Sequence, residues 1–93
     1  VYAYHATVPA FLAAIRKEGL RPQYHESAGE DVIFCEPDLA LIEPYVEPGG
    51  IVLRWPADNI AGSTPDGECV WYDPVPPERL QIRTRDGRWI PLM

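Results

Sequence analysis

Five residue types in this chain could do chemistry together. His5 and Thr7 close a short apolar run, Tyr4-His5-Ala6-Thr7, and Glu68 opens a later one, Cys69-Val70-Trp71-Tyr72. Between them stand the aromatics Phe34 and Tyr45. A neutral imidazole offers one donor and one acceptor at physiological pH. Aromatic faces hold flat ligands, and a carboxylate in a dry pocket stabilises developing positive charge. Each residue taken singly also has a plain reading: a satisfied ring at a strand end, a core or surface aromatic, a solvated carboxylate. Tyr24 and His25 sit in a polar stretch that could fold over a ligand. A cysteine nucleophile is only faintly suggested by the neighbours Cys35-Glu36 and Glu68-Cys69.

The elements that must position these residues come next. Residues 1–5 are β-branched or aromatic without Gly or Pro, which predicts a strand. Thr7 is placed to cap a helix over 8–18, with Pro9 in its first turn. Val8, Phe11, Leu12 and Ile15 fall at helical spacing, and Arg16 and Lys17 suit the C-terminal dipole. Gly19 supplies a left-handed end, with Leu20 packing back. Residues 23–30 read as a loop, 31–35 as a strand, and 37–42 as a short helix that Pro44 ends. A turn at Gly49-Gly50 leads to a strand over 51–55. Residues 57–67 form the least regular stretch, and a strand follows over 68–72. Runs 81–85 and 88–92 flank Asp86-Gly87, a favoured two-residue hairpin turn. The expected class is α+β: a small, mostly antiparallel or mixed split sheet, one main N-terminal helix and one short helix, all in a single domain over 1–93.

Composition bounds the function. At 93 residues, 46% apolar and 24% charged, the chain supports one modest core. A net charge of −6 argues against a long nucleic-acid footprint. Five of the eight basic residues are Arg54, Arg79, Arg83, Arg85 and Arg88, spaced more like alternate strand positions than a binding stripe. Cys35 and Cys69 make no disulfide framework and read as buried free thiols. No Cys-x-x-Cys pair is present, which argues against structural zinc. No apolar run approaches membrane-spanning length and no signal peptide is visible, so a cytoplasmic location is the default expectation.

The order of these features carries more than any one of them. A strand ending in His5-Ala6-Thr7 runs into a helix closed by Glu18-Gly19-Leu20-Arg21-Pro22. Val32-Ile33-Phe34-Cys35 follows, then a short helix and Tyr45. Ile51-Val52-Leu53-Arg54-Trp55 comes later, and Glu68 opens a strand leading to Val75-Pro76-Pro77-Glu78-Arg79-Leu80. This layout resembles the ADP-ribosyltransferase superfamily, in its diphtheria-toxin-like and poly-ADP-ribose-polymerase-like branch with a His–Tyr–Glu triad. It is also similar to the NAD-dependent RNA 2′-phosphotransferases and small DNA-modifying toxins of that superfamily. The resemblance spans most of the chain. It implies NAD as substrate, with His5 on a ribose hydroxyl, Ala6 and Thr7 beside it, and Phe34 as the second-strand aromatic. Tyr45 would stack on nicotinamide, and Glu68 would stabilise the ribose oxocarbenium. Ala6 stands where the family usually has glycine. Position 66 is Asp, not the Gln or Glu found two places before the family glutamate, and the chain is short for the superfamily.

Two functions of different class remain open. One is transfer of ADP-ribose from NAD to a macromolecular acceptor, a protein favoured over nucleic acid because the chain is acidic. The phosphotransferase variant is weakened because the first half offers only Arg16 and Arg21 near a phosphate. The other is a catalytically inactive, acidic binding module that occupies a basic protein partner as inhibitor or adaptor. They differ in one requirement: the enzyme needs His5, Tyr45 and Glu68 in one cleft.

Overall fold

A computed structural model describes residues 1–57, 62–63 and 69–93. Its elements run β1 (Tyr2–Thr7), α1 (Leu12–Glu18), β2 (Gln23–His25), β3 (Glu30–Phe34), α2 (Leu39–Ile42), β4 (Ile51–Pro56), β5 (Gly62–Ser63), β6 (Cys69–Trp71), β7 (Gln81–Arg83) and β8 (Trp89–Pro91). The strands form two four-stranded sheets, β1-β4-β7-β8 and β2-β3-β6-β5. Every pairing is antiparallel. The class is therefore α+β with two helices and two antiparallel sheets, and no mixed pairing occurs among the described residues.

Strand periodicity sorts the aromatic residues. β1 lies against β4 with Ala3 opposite Trp55 and His5 opposite Leu53. Ala3, Leu53 and Trp55 are fully buried, joined in one core by Ile15, Leu20, Ile33, Val75 and Leu80. Burying each large side chain contributes about 1.5–3 kcal/mol, so these few residues hold the sheets together. Trp55 meets Trp71 of the second sheet edge to face, ring centres 5.8 Å apart. The alternate residues face outward. There the Arg54 guanidinium lies 3.9 Å from the Tyr2 ring centre and 4.3 Å from that of Trp89, and donates to Gln81. Of the five late arginines, only Arg54 and Arg83 stand on strands. Arg79 lies in the 3-10 turn Pro77–Arg79, and Arg85 and Arg88 lie in or beside the final hairpin turn.

The main helix begins later than its apolar spacing suggests. Thr7 is the last residue of β1, opposite Ile51, and does not cap the helix; Val8 holds the cap position without a side-chain bond. Pro9–Phe11 forms a 3-10 turn before α1, with Pro9 at its start, where no amide partner is lost. The end is as expected: Gly19 takes φ 77° and Leu20 is buried. The second helix covers only Leu39–Ile42, and Pro44 sits inside a following 3-10 turn, Glu43–Tyr45.

Three sequence expectations about strands and turns are corrected. Residues 23–30 are not all loop. Gln23–His25 pairs with β3, and the turn between closes on the His25 carbonyl, which accepts from Ala28 and Gly29. The pairing was hidden because exposed polar side chains fill this edge. Within 57–67, Gly62 and Ser63 pair with Val70 and Cys69. The final hairpin is tighter in pairing and wider in turn. Asp86 has a negative φ, whereas a two-residue type I′ turn needs positive φ at both centres. Instead Gly87 (φ 87°) donates to the Thr84 carbonyl and Arg88 to the Thr84 hydroxyl.

Candidate functional site

The site begins where the two sheets meet and part. Tyr4 of β1 and Glu36, just past β3, exchange two backbone hydrogen bonds of 2.9 Å each. Two residues back along the same edge of β3, the next exchange would join Ala6 to Phe34. It does not form. The Phe34 carbonyl instead accepts a 2.7 Å hydrogen bond from Nδ1 of His5. Further back on that edge, Val32 pairs with Gln23 of β2. The seam therefore opens at Phe34, between β1 and β2, and the His5 ring closes its end.

A cleft of about 510 Å³ lies in this opening, within the roughly 300–1,000 Å³ typical of small-molecule sites. Its floor is His5, Ala6 and Thr7 at the end of β1, with Val32, Ile33 and Phe34 of β3. One wall is the helix, through Phe11, Ala14, Ile15 and Glu18, continuing into Leu20 and Arg21. The apolar stripe of the helix is thus divided: Ile15 is buried in the core, while Phe11 stands 60% exposed at the cleft. Tyr45 and Glu47 border it from the segment after α2, and Tyr45 is 62% exposed. His25 of β2 completes the aromatic lining, its ring 4.5 Å from Phe34 and edge-on to it.

The bond to a carbonyl fixes the His5 tautomer. A carbonyl cannot donate, so Nδ1 carries the proton and Nε2 is left as an acceptor in the neutral ring. Burial pushes the His5 pKa below its ordinary 6.5; the Phe34 bond opposes this, and the nearby His25 adds to it. The consequence for stability follows from the sign. Above pH 6.5 both folded and unfolded His5 are neutral, and its contribution is complete. Below 6.5 the unfolded ring gains a proton first, so stability falls with falling pH, by at most about 1.4 kcal/mol per pH unit from one group. His5→Gln is expected to show a shallower loss of urea resistance than the wild type between about pH 7.5 and about pH 5.5. Equal slopes would mean that His5 carries no such linkage.

The thiols offer no nucleophile. Cys35 is buried and its pKa is pushed up to about 12, first by burial, then by Cys69 and Glu36. Cys69 is only partly buried, contrary to expectation, because β6 ends beside the edge strand β5; burial and Glu36 push its pKa up as well. A thiol held protonated at neutral pH is a poor attacking group.

Of the residues singled out from sequence, His5, Ala6, Thr7, Phe34 and Tyr45 line this one cleft. Tyr24 does not; it is 65% exposed and only its neighbour His25 turns inward. Glu68 lies outside the described residues. Sequence reasoning passed over Phe11, Glu18, Arg21 and Glu47 as cleft residues. Phe11 had a signal, since it belongs to an apolar stripe that the core alone cannot absorb. Glu18 and Arg21 belong to the segment that closes the helix, and Glu47 carried no signal. Comparison with family models, curated proteins and solved structures finds no match for this chain. No helix among the described residues is long and apolar enough to cross a membrane.

Proposed function

We propose that the protein is an NAD-dependent transferase that moves ADP-ribose from NAD to a macromolecular acceptor, on a fold of the ADP-ribosyltransferase type. One observation carries this reading: the five residues that the resemblance assigns to NAD lie together in one cleft, at the parting of two antiparallel sheets. Phe34, Tyr45 and His25 offer aromatic surface to the nicotinamide ring. Neutral His5 meets a ribose hydroxyl through Nε2. In the reaction the bond from C1′ to the nicotinamide nitrogen breaks and its electron pair leaves with neutral nicotinamide. The ribose is left as an oxocarbenium, which Glu68 stabilises electrostatically. An acceptor heteroatom then bonds to C1′ and gives up its proton. A protein acceptor fits the acidic chain better than a nucleic acid. An RNA phosphate is disfavoured, since Arg21 is the one arginine among the described lining residues.

The test is NAD binding and nicotinamide release by the purified chain. Binding with slow release at millimolar NAD is the expected result, and neither binding nor release rules the reading out. Binding without release would favour the second reading, an inactive acidic module for a basic protein. The observation behind that alternative is the exposed rim, where Phe11 and Tyr45 stand beside Glu18 and Glu47.

A further inference from the structure

Arg21 is the one Lys or Arg among the described residues that line the cleft; Arg16, Lys17 and Arg85 likewise have no ion-pair or hydrogen-bond partner among the described residues, but none of them lines it. Arg83 is paired with Glu43, Arg88 with Asp86, Arg79 with the Pro56 carbonyl, and Arg54 with Gln81 and two rings. Arg21 lines the cleft, is exposed, and has no ion-pair or hydrogen-bond partner among the described residues. Its backbone is nonetheless held on both sides. Leu20 exchanges two 2.9 Å hydrogen bonds with Val75 and is buried, and Pro22 restricts the residue before it to extended conformations. A cation with a fixed base and a free head, on a cleft that Glu18 and Glu47 also line, is placed for a ligand.

We propose that Arg21 is the anion anchor of the cleft and holds the diphosphate of the bound dinucleotide. This rests on the NAD reading above and adds to it which end of the ligand points where. The flat ring lies over Phe34 toward His5 and Tyr45, and the phosphates turn to the helix end. The planar guanidinium can give two parallel N–H donors to phosphate oxygens, which an ammonium cannot. Without Arg21 the rim would repel a diphosphate.

The experiment measures binding of NAD and of nicotinamide riboside, which lacks phosphates, to the wild type, Arg21→Gln and Arg21→Lys. Arg21→Gln should weaken NAD binding by about tenfold or more, the scale of one charge-assisted hydrogen-bonded pair, and leave riboside binding unchanged. Arg21→Lys should fall between. Added salt should weaken NAD binding more for the wild type than for Arg21→Gln. Unchanged NAD affinity in Arg21→Gln overturns the anchor alone. Equal weakening of both ligands also overturns it, since the side chain would then be shaping the cleft. A wild type that binds neither ligand removes the NAD reading and the anchor together.

Discussion

Replacing Glu68 by Gln is expected to slow nicotinamide release by about 100- to 1,000-fold, the range for removing one pre-positioned electrostatic partner, while NAD still binds. The substitution keeps the size and the hydrogen-bonding oxygen and removes only the charge. If the step were limited by positioning, Gln would serve nearly as well. The oxocarbenium asks for charge, so kcat should fall and affinity should hold. The cleft supplies its own controls. Glu18 and Glu47 are the carboxylates among the described lining residues. Glu18→Gln and Glu47→Gln should leave the rate near that of the wild type. If one of these abolishes release and Glu68→Gln does not, the catalytic carboxylate has been misassigned although the cleft has not. If none of the three matters, charge stabilisation by this chain is not the source of the rate.

Legibility in the sequence followed the range of the forces involved. The strand at the N-terminus, the helix with its Gly19 stop and the strand around Leu53 were readable, because each is set by local periodicity and a local breaker. Thr7 shows where local rules mislead. It has the chemistry of a cap, yet the pairing of Thr7 with Ile51 keeps it in the strand. A ladder position opposite a distant residue outweighed a single capping bond worth about 1 kcal/mol. Gln23–His25 shows the same in reverse, since its pairing with β3 comes from the partner strand and not from its own polar composition.

The cleft was legible by residue type and order but not by contact. His5 could be named from its place at a strand end. Its bond to the Phe34 carbonyl could not, because that depends on the sheets parting one step beyond the Tyr4–Glu36 bridge. Arg21 could be named as a first-half arginine but not as a cleft residue. Its distinction is its place as the one Lys or Arg among the described cleft residues, which only tertiary placement reveals. Phe11 shares one apolar face with Val8, Leu12 and Ile15, and tertiary packing turned it to the cleft.

Gly19→Ala is expected to destabilise the fold more than the same change at Gly29, Gly49, Gly50 or Gly87. Gly19 has φ 77° and ψ −169°, a region that side-chain-bearing residues enter only at a cost of about 1–3 kcal/mol. Space adds a second penalty. A Cβ on Gly19 would stand 2.1 Å from the Val75 carbonyl oxygen and 3.0 Å from the Pro76 Cα. That oxygen cannot retreat freely, because it accepts the Leu20 amide at 2.9 Å. Relief means breaking the Leu20–Val75 exchange, at roughly 1 kcal/mol per hydrogen bond, and lifting the buried Leu20 from the core, at roughly 2 kcal/mol. A loss of about 3 kcal/mol or more would lower the melting temperature by about 12 °C or more in a domain of this size. Gly87→Ala is the matched control, with φ 87° and no atom within 4 Å of the added methyl, so it meets only the left-handed backbone penalty of about 1–2 kcal/mol. Equal melting temperatures for the two variants would show that the Val75 carbonyl yields and that the helix end is not clamped. A much lower one for Gly19→Ala, with NAD binding lost in parallel, would tie the cleft wall at Leu20 and Arg21 to this single close approach.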